Sequence, residues 1–156
     1  MTPQEIFDTV GVHLLTMKEQ SRSQIDKTCA YRGDNGARCA AGIILPDEYY
    51  RPWMDDECKS PINAQGFRLN STLMVDIIRY NPDALPAWMV SNGELISELQ
   101  SVHDNDEYWL DSGRLSMKIG LMYIASKFNL DGTKVARTDG YVIPSADEYE
   151  NDGVGC

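Results

Sequence analysis

Apolar residues recur at every third or fourth position in several stretches of the chain, the spacing of an amphipathic helix with one buried face. The first stretch follows Thr2-Pro3-Gln4-Glu5, in which Thr2 can cap a helix, Pro3 suits its first turn and Glu5 completes a capping box. Its apolar positions are Ile6, Val10, Leu14 and Met17. The pattern predicts an N-terminal helix that fades near Lys18.

The same spacing predicts three further helices. Asn70 or Ser71 caps a segment that Asn81-Pro82 ends. Ser91-Asn92-Gly93-Glu94 reads as a second capping box ahead of another helical segment. Residues 112–128 are the most apolar, and their apolar side chains occupy more than one helical face. That distribution predicts a central helix that is buried on most sides.

A β-hairpin is predicted between the first two helices. Gly33-Asp34-Asn35-Gly36 separates two short runs that contain β-forming residues, and Asn-Gly in that position is a strong hairpin signal. A three- or four-residue loop places Cys29 opposite Cys39, whereas a two-residue turn pairs Cys39 with Arg32. The run that follows, residues 40–45, fits either a continued strand or a short buried helix.

These elements predict an α+β fold, namely a compact, mainly helical domain with a small N-terminal β-hairpin and a mobile acidic C-terminal tail. The length of 156 residues fits a single globular domain over residues 1–144, with the tail over 145–156. No stretch approaches the roughly 20 apolar residues of a membrane span. The first residues lack the basic and apolar regions of a signal peptide. We therefore expect a cytoplasmic protein with reduced thiols.

Acidic side chains are concentrated in the middle of the chain. The protein has 24 Asp and Glu residues against 14 Lys and Arg, and residues 47–111 alone hold 13 acidic and 4 basic ones. Such a field repels nucleic acids and membrane surfaces and favours a cationic partner. We therefore expect no direct binding of nucleic acid or membrane.

Cys39 and His103 are the residues best suited to catalysis. A thiolate at the start of a helix is stabilised, and an imidazole beside it can take its proton. Asp104 follows His103 and makes it the better base of the two histidines. However, free cysteines are commonly buried, and successive side chains on a helix diverge. We expect no catalytic residues, with a thiol-dependent hydrolase using Cys39, His103 and Asp104 as the alternative.

A zinc site is a second alternative, and it shares Cys39 and His103 with the hydrolase. Cys29, Cys39, His13 and His103 offer the sulfur and nitrogen atoms that zinc accepts. The chain has no close Cys-x-x-Cys pair, which structural zinc sites usually contain. A histidine on an apolar helix face, such as His13, is more often a core residue. We expect neither a metal nor any other cofactor.

Two acidic clusters that contain aromatic residues form the predicted partner-binding surface. Exposed aromatic rings beside carboxylates suit an interface with a partner rich in Arg or Lys. The alternative is a solvated acidic face with the aromatic rings in the core. The candidate residues are Asp47, Glu48, Tyr50, Trp53, Asp55, Asp56, Glu57, Asp104, Asp106, Glu107 and Trp109.

Several short strings resemble a group of small uncharacterised proteins from tailed phages and their bacterial hosts. The strings are Thr2-Pro3-Gln4-Glu5-Ile6-Phe7, Cys29-Ala30-Tyr31-Arg32-Gly33, Cys39-Ala40-Ala41-Gly42, Leu45-Pro46-Asp47-Glu48-Tyr49, Leu99-Gln100 and His103-Asp104. The resemblance covers about residues 1–110. It implies an accessory phage protein that acts inside the host cell, and it makes Cys29, Cys39, His103 and Asp104 worth testing as one unit.

The sequence thus favours a non-enzymatic protein that binds a host protein with a basic surface. It would modulate that protein by mimicking the charge of a nucleic acid, as in counter-defence or host takeover. The alternatives are the thiol-dependent hydrolase and a zinc-stabilised interaction module. The sequence leaves the partner's identity and the oligomeric state open.

Overall fold

The computed structural model describes residues 1–23, 28–34, 36–62, 64–66, 73–110 and 112–140. Within these ranges the chain forms seven α-helices: α1 Pro3–Thr16, α2 Ala40–Ile44, α3 Met74–Tyr80, α4 Ala87–Ser91, α5 Gly93–Asp104, α6 Gly113–Lys127 and α7 Thr133–Arg137. Short 3-10 helices cover Pro52–Met54, Glu57–Lys59, Pro82–Ala84 and Asp106–Trp109.

Helix α1 begins with the capping box that the sequence predicts. The Glu5 N–H donates to Thr2 Oγ1 over 3.2 Å, and the Thr2 N–H donates to Glu5 Oε2 over 2.7 Å. The apolar stripe that follows is buried, and α1 packs against α2, α5, α6 and α7. Helix α5 contacts α1, α2, α3, α4 and α6, so α1 and α5 together form the centre of the described fold.

The prediction that residues 112–128 form a central helix buried on most sides is wrong. Helix α6 buries Met117 and Leu121, but Leu115, Ile119 and Tyr123 are 68%, 62% and 68% exposed. These three side chains are spaced by four residues and therefore share one face of the helix. An apolar residue on an exposed face gives the same sequence signal as a buried one, so periodicity alone overestimated the burial of α6.

The predicted α+β arrangement and its N-terminal hairpin are also wrong. The described residues contain no β-strand, and an isolated antiparallel bridge joins Arg22 to Cys29. The chain does turn at the predicted place, since the Gly33 N–H donates to Ala37 O over 2.9 Å. After the turn, however, Cys39 caps α2 instead of continuing a strand.

The chain before the turn is held by a side chain instead of a partner strand. The N–H groups of Tyr31 and Arg32 donate to the two carboxylate oxygens of Asp55 over 2.6 and 3.0 Å. A strand ladder needs those N–H groups for its own hydrogen bonds. The described fold is therefore helical, with residues 28–34 forming an irregular segment anchored by Asp55.

The second predicted capping box does not form either. Ser91 is still part of α4, and Asn92 separates it from α5. The Asn92 side chain donates back to Trp88 O over 2.7 Å and does not cap α5. The predicted cap at Asn70 or Ser71 and the tail at 145–156 lie outside the described residues, as does the side chain of Glu57.

The segment that carries Cys29 is fixed closely against α2. Arg32 donates to the carbonyl oxygens of Gly42 and Leu45 and pairs with Asp47 over 2.8 Å. A Cβ atom added at Gly42 would lie 2.3 Å from the carbonyl oxygen of Tyr31. Only glycine permits that approach, which sets the distance between the two cysteine-bearing segments.

Among the described helices, none combines the length and the apolar character needed to cross a lipid bilayer.

Candidate functional site

The site lies at the C-terminal end of α5, where three polar side chains share one face. Gln100, His103 and Asp104 occupy positions i, i+3 and i+4, which are neighbours on a helix. The Gln100 Nε2 group donates to Asp104 Oδ1 over 2.8 Å, and Gln100 Oε1 accepts the Ala41 N–H over 3.0 Å. Gln100 is therefore held in one orientation between α5 and α2.

Cys29 meets this face from a distant part of the chain. Its Sγ atom lies 3.0 Å from Gln100 Nε2 and 3.5 Å from His103 Nδ1, although Cys29 and His103 are 74 residues apart in sequence. The Cys29 residue is exposed to solvent. The Gln100 amide N–H thus points at the Cys29 sulfur, a contact that by itself favours negative charge on that atom.

Cys39 lies on the protein side of Cys29 and has no exposed surface. Its Sγ atom caps α2 by accepting the Gly42 N–H over 3.3 Å. The two thiols share a hydrogen bond, and this contact and burial raise the pKa of Cys29 far above its ordinary value.

His103 is buried, and its ring is oriented by the backbone of an earlier segment. The Ser21 N–H donates to His103 Nε2 over 3.1 Å, so that nitrogen must be unprotonated. The ring proton of the neutral side chain is then on Nδ1, 2.9 Å from Asp104 Oδ1. The backbone oxygen of His103 accepts hydrogen bonds from Gln20 Nε2 and Trp109 Nε1, both over 2.7 Å.

These contacts also govern two pKa values. Burial opposes ionisation of Asp104, but hydrogen bonds from His103 and Gln100 hold its pKa below the ordinary value. Burial likewise disfavours charge on His103, while its hydrogen bonds to Asp104 and Cys29 raise its pKa. The Ser21 N–H opposes that rise, because it requires a nitrogen without a proton.

The cluster borders a cavity of about 630 Å³. Cys29, Gln100 and Asp104 line one part of it, and Tyr31 and Arg32 continue the wall. The volume is within the range of small-molecule and peptide-side-chain pockets. A reagent that enters this cavity meets Cys29 before it meets Cys39.

Three residues of the cluster could each give one ligand to a metal. Ligand atoms of Cys29, His103 and Asp104 lie within 4.8 Å of one another. A metal at Nδ1 requires the ring proton on Nε2, and a metal-bound histidine donates that proton to an acceptor. Here Nε2 faces the Ser21 N–H, which is a donor, and the Gln100 amide already satisfies Cys29 and Asp104. The arrangement fits a hydrogen-bonded group better than a zinc site.

The same proton position bears on the hydrolase alternative. A histidine that activates a thiol must accept its proton, but the nitrogen that faces Cys29 is the one that carries the ring proton. The thiol beside His103 is moreover Cys29, whereas Cys39 is buried behind it. Of the predicted metal ligands, His13 is outside the cluster, with Nε2 donating to Arg38 O over 2.6 Å.

The predicted partner-binding residues have varied surroundings. Asp47 pairs with Arg32, Asp106 pairs with Arg22, and Tyr50 donates to Asp55 over 3.0 Å. The buried residue Trp53 is only 9% exposed.

Other members of that set lie nearer the thiols or the solvent. Trp109 packs edge-on against His103 with ring centroids 5.4 Å apart. Asp56 pairs with Lys59 over 3.3 Å and lines the cavity. Glu48 and Glu107 are exposed. The structure thus gives several acidic residues an internal role, and the binding of a basic partner stays a prediction.

Sequence reasoning selected Cys29, Cys39, His103 and Asp104 but missed Gln100 and Ser21 as parts of the site. Gln100 had a readable signal, since its spacing of three and four residues from His103 and Asp104 puts all three on one helical face. Ser21 acts through its backbone N–H, which leaves no mark in the sequence.

No family model matches the chain, and neither a curated protein nor a solved structure matches it. The resemblance to phage proteins therefore stays a prediction, and a function must be argued from the site.

Proposed function

We propose that this protein is a thiol–disulfide redox protein in which Cys29 is the attacking thiol and Cys39 the resolving thiol. The observation that carries the proposal is that Gln100 bridges the segments of an exposed and a fully buried thiol at the wall of a cavity: its Nε2 group donates to Cys29 Sγ over 3.0 Å, and its Oε1 atom accepts the N–H of Ala41, two residues after Cys39. Cytoplasmic disulfides are usually transient and belong to catalytic or redox-sensing sites.

The reaction proceeds in two exchange steps that balance in atoms and electrons. The Cys29 thiol loses its proton to bulk water, and the resulting thiolate attacks one sulfur of a substrate disulfide, which forms a mixed disulfide and releases a substrate thiolate. That thiolate takes the proton from Cys39. The Cys39 thiolate then attacks the Cys29 sulfur, forming the Cys29–Cys39 disulfide and releasing the second substrate thiolate. Two electrons have passed from the protein to the substrate.

The surrounding groups have defined parts in these steps. The Gln100 N–H stabilises the Cys29 thiolate, and the Gly42 N–H stabilises the Cys39 thiolate. Asp104 and the Ser21 N–H keep His103 in the tautomer with its proton on Nδ1, which donates to Asp104 and lies 3.5 Å from Cys29 Sγ. His103 and Gln100 are thus positioning and donor groups here, and neither acts as a base.

Mass spectrometry of the reduced protein after exposure to bis(2-hydroxyethyl) disulfide tests the proposal. We use a background in which Cys58 and Cys156 are serine, so that two thiols remain. The parent protein should lose about 2 Da, the mass of two hydrogens, and peptide mapping should join Cys29 to Cys39. Cys39→Ser should stop at a stable mixed disulfide on Cys29, and Cys29→Ser should react slowly because Cys39 is buried.

Equal adduct formation in the parent protein and in Cys39→Ser, with no internal disulfide, would refute the proposal. Melting temperatures of the two serine variants serve as a control, because an unfolded variant would expose its remaining thiol. Rapid selective alkylation of Cys29 that depends on His103, together with hydrolytic turnover, would instead favour the hydrolase.

A further inference from the structure

We infer that the disulfide exchanged at Cys29 is flanked by positive charge, as in a basic peptide or a small aminothiol disulfide. This inference rests on the proposed redox function and adds the class of substrate. It follows from the charged groups that share the cavity with Cys29.

Carboxylates outnumber cations among the described residues that line the cavity. Asp34, Asp55, Asp56 and Asp104 line it, against Arg32 and Lys59. These charges surround the point at which a substrate disulfide must approach the Cys29 sulfur.

Each of the two cations in the described part of the wall is already engaged. Arg32 is 17% exposed, and its guanidinium group contacts Asp47 and the carbonyl oxygens of Gly42 and Leu45. Lys59 Nζ lies 3.3 Å from Asp56 Oδ2. Each of these cations is thus paired with a carboxylate, and neither adds an uncompensated positive charge to the cavity.

Two of the carboxylates are bound mainly by neutral donors. Asp55 accepts from the N–H groups of Tyr31 and Arg32 and from the Tyr50 hydroxyl. Asp104, whose side chain is 48% exposed, accepts from Gln100 and His103. Neutral donors stabilise a carboxylate but do not cancel its charge, so the field at the cavity mouth remains negative.

The wider charge distribution has the same sign. Residues 47–111 hold 13 acidic and 4 basic side chains, and the whole chain has a net charge of -10. Long-range fields of this kind change association rates by roughly 10- to 1000-fold at low salt. An anionic disulfide must approach against this field, and each attack adds negative charge to the departing sulfur. A cationic disulfide is attracted during its approach, and its positive charge also stabilises the departing thiolate.

Stopped-flow rates with three disulfides of different charge test the inference. The probes are cystamine, which is cationic, bis(2-hydroxyethyl) disulfide, which is neutral, and dithiodiglycolate, which is anionic. The rate of each probe with the protein is divided by the rate of the same probe with 2-mercaptoethanol, which removes the intrinsic reactivity of the probe. At an ionic strength of about 20 mM we expect cystamine to exceed dithiodiglycolate by at least about tenfold, and by less than about threefold at about 1 M salt.

Matched variants locate the effect in the cavity. The double variant Asp34→Asn, Asp56→Asn removes two negative charges from the cavity wall and should lower the cystamine-to-dithiodiglycolate rate ratio by about threefold. An asparagine at position 56 keeps the oxygen that accepts the Cys58 N–H, so the local fold is retained. Asp83→Asn removes one negative charge from an exposed residue outside this cavity and should leave the ratio nearly unchanged.

The outcomes separate the two claims. Equal normalised rates for all three probes, or a faster anionic probe, would overturn the substrate class while leaving disulfide exchange intact. Failure of every probe to produce the Cys29–Cys39 disulfide would overturn the proposed function itself. If the expected order is found, a basic cystine peptide that outpaces cystamine identifies a polypeptide source, and the reverse order identifies a small aminothiol.

Discussion

The two thiols of the site have opposite surroundings, and this difference determines their roles. Cys29 is exposed beside Gln100, while Cys39 is fully buried and caps α2. Thiol chemistry depends on access as well as on ionisation. An attacking and a resolving thiol therefore follow from burial alone, before any argument about pKa values.

Tyr31 should make the protein less stable at alkaline pH. Its ring is 6% exposed, and burial together with the nearby thiols raises its pKa well above the ordinary value. Above about pH 10 the unfolded phenol ionises and the folded one does not, so the free energy of unfolding falls by about 1.4 kcal/mol per pH unit. Below that pH the contribution is fully present.

Urea unfolding of Tyr31→Phe and the parent protein between about pH 8 and pH 11 measures this contribution. The difference between the two proteins should be constant up to about pH 9.5 and should then change in favour of Tyr31→Phe. Tyr80→Phe is the control, because the Tyr80 ring is 72% exposed and stays in water in both states. Parallel curves for Tyr31→Phe and the parent at all pH values would contradict the prediction.

Metal removal should not affect folding, and the reason is a single backbone N–H. Ser21 donates to His103 Nε2, which keeps the ring proton on the nitrogen nearest Cys29 and Asp104. A structural zinc site normally contributes much of the folding free energy of its domain. We expect chelation to change the melting temperature by less than about 1 °C. Stoichiometric zinc in the purified protein, with a large loss of stability on chelation, would show that His103 adopts the other tautomer.

The elements differ in how far local sequence could predict them. Helix α1 was predicted with its capping box because Thr2 and Glu5 are three residues apart and cap the helix locally. The hairpin prediction failed because Asp55, 23 residues after Arg32, takes the N–H groups that a strand would use. A hydrogen-bond acceptor so distant in the sequence cannot be identified from turn residues and β-propensity.

The start of α2 should be sensitive to one added methyl group. A Cβ at Gly42 would meet the Tyr31 carbonyl carbon at 2.9 Å and its oxygen at 2.3 Å, and backbone cannot move aside as a side chain can. We expect Gly42→Ala to cost about 3 kcal/mol, or roughly 10 °C in melting temperature, and to slow formation of the Cys29–Cys39 disulfide.

Gly120→Ala provides the matched control in α6. There the added Cβ would lie 3.2 Å from the Tyr108 hydroxyl, which is the movable end of a side chain. Removing glycine from a helix interior gains about 1 kcal/mol, which offsets the crowding. We expect a change within about 1 kcal/mol. Equal stability of the two variants would mean that the segment of Tyr31 can move away from α2.

At the scale of the whole molecule, the site depends on contacts that sequence cannot specify. The spacing of Gln100, His103 and Asp104 on α5 is local and can be read directly. Cys29 reaches His103 across 74 residues, and Ser21 reaches it across 82, because α1, α2 and α5 pack together. The sequence could therefore predict half of the site and could only suggest that the cysteines join it.

The net charge of -10 should make the melting temperature depend on salt. Self-repulsion destabilises the compact state, and salt screens it, because the Debye length falls from about 20 Å at low ionic strength to about 6 Å near 0.3 M. Salt also weakens ion pairs such as Arg32–Asp47 and Lys127–Glu98, but exposed pairs contribute at most about 1 kcal/mol each. The screening of repulsion should outweigh the weakening of the ion pairs, so adding sodium chloride should raise the melting temperature by about 2–4 °C.

Charge variants decide whether that rise comes from net charge. Replacing Glu48 and Glu107 with glutamine removes two exposed charges and should reduce the rise, whereas Lys134→Gln adds to the negative surplus and should enlarge it. Sucrose, which carries no charge, should stabilise all the proteins equally. A melting temperature that ignores salt in every variant would mean that the acidic residues are balanced locally by the ion pairs of the fold. The long-range field on which selection of a cationic substrate partly depends would then be weak, and discrimination would rest on the carboxylates beside Cys29.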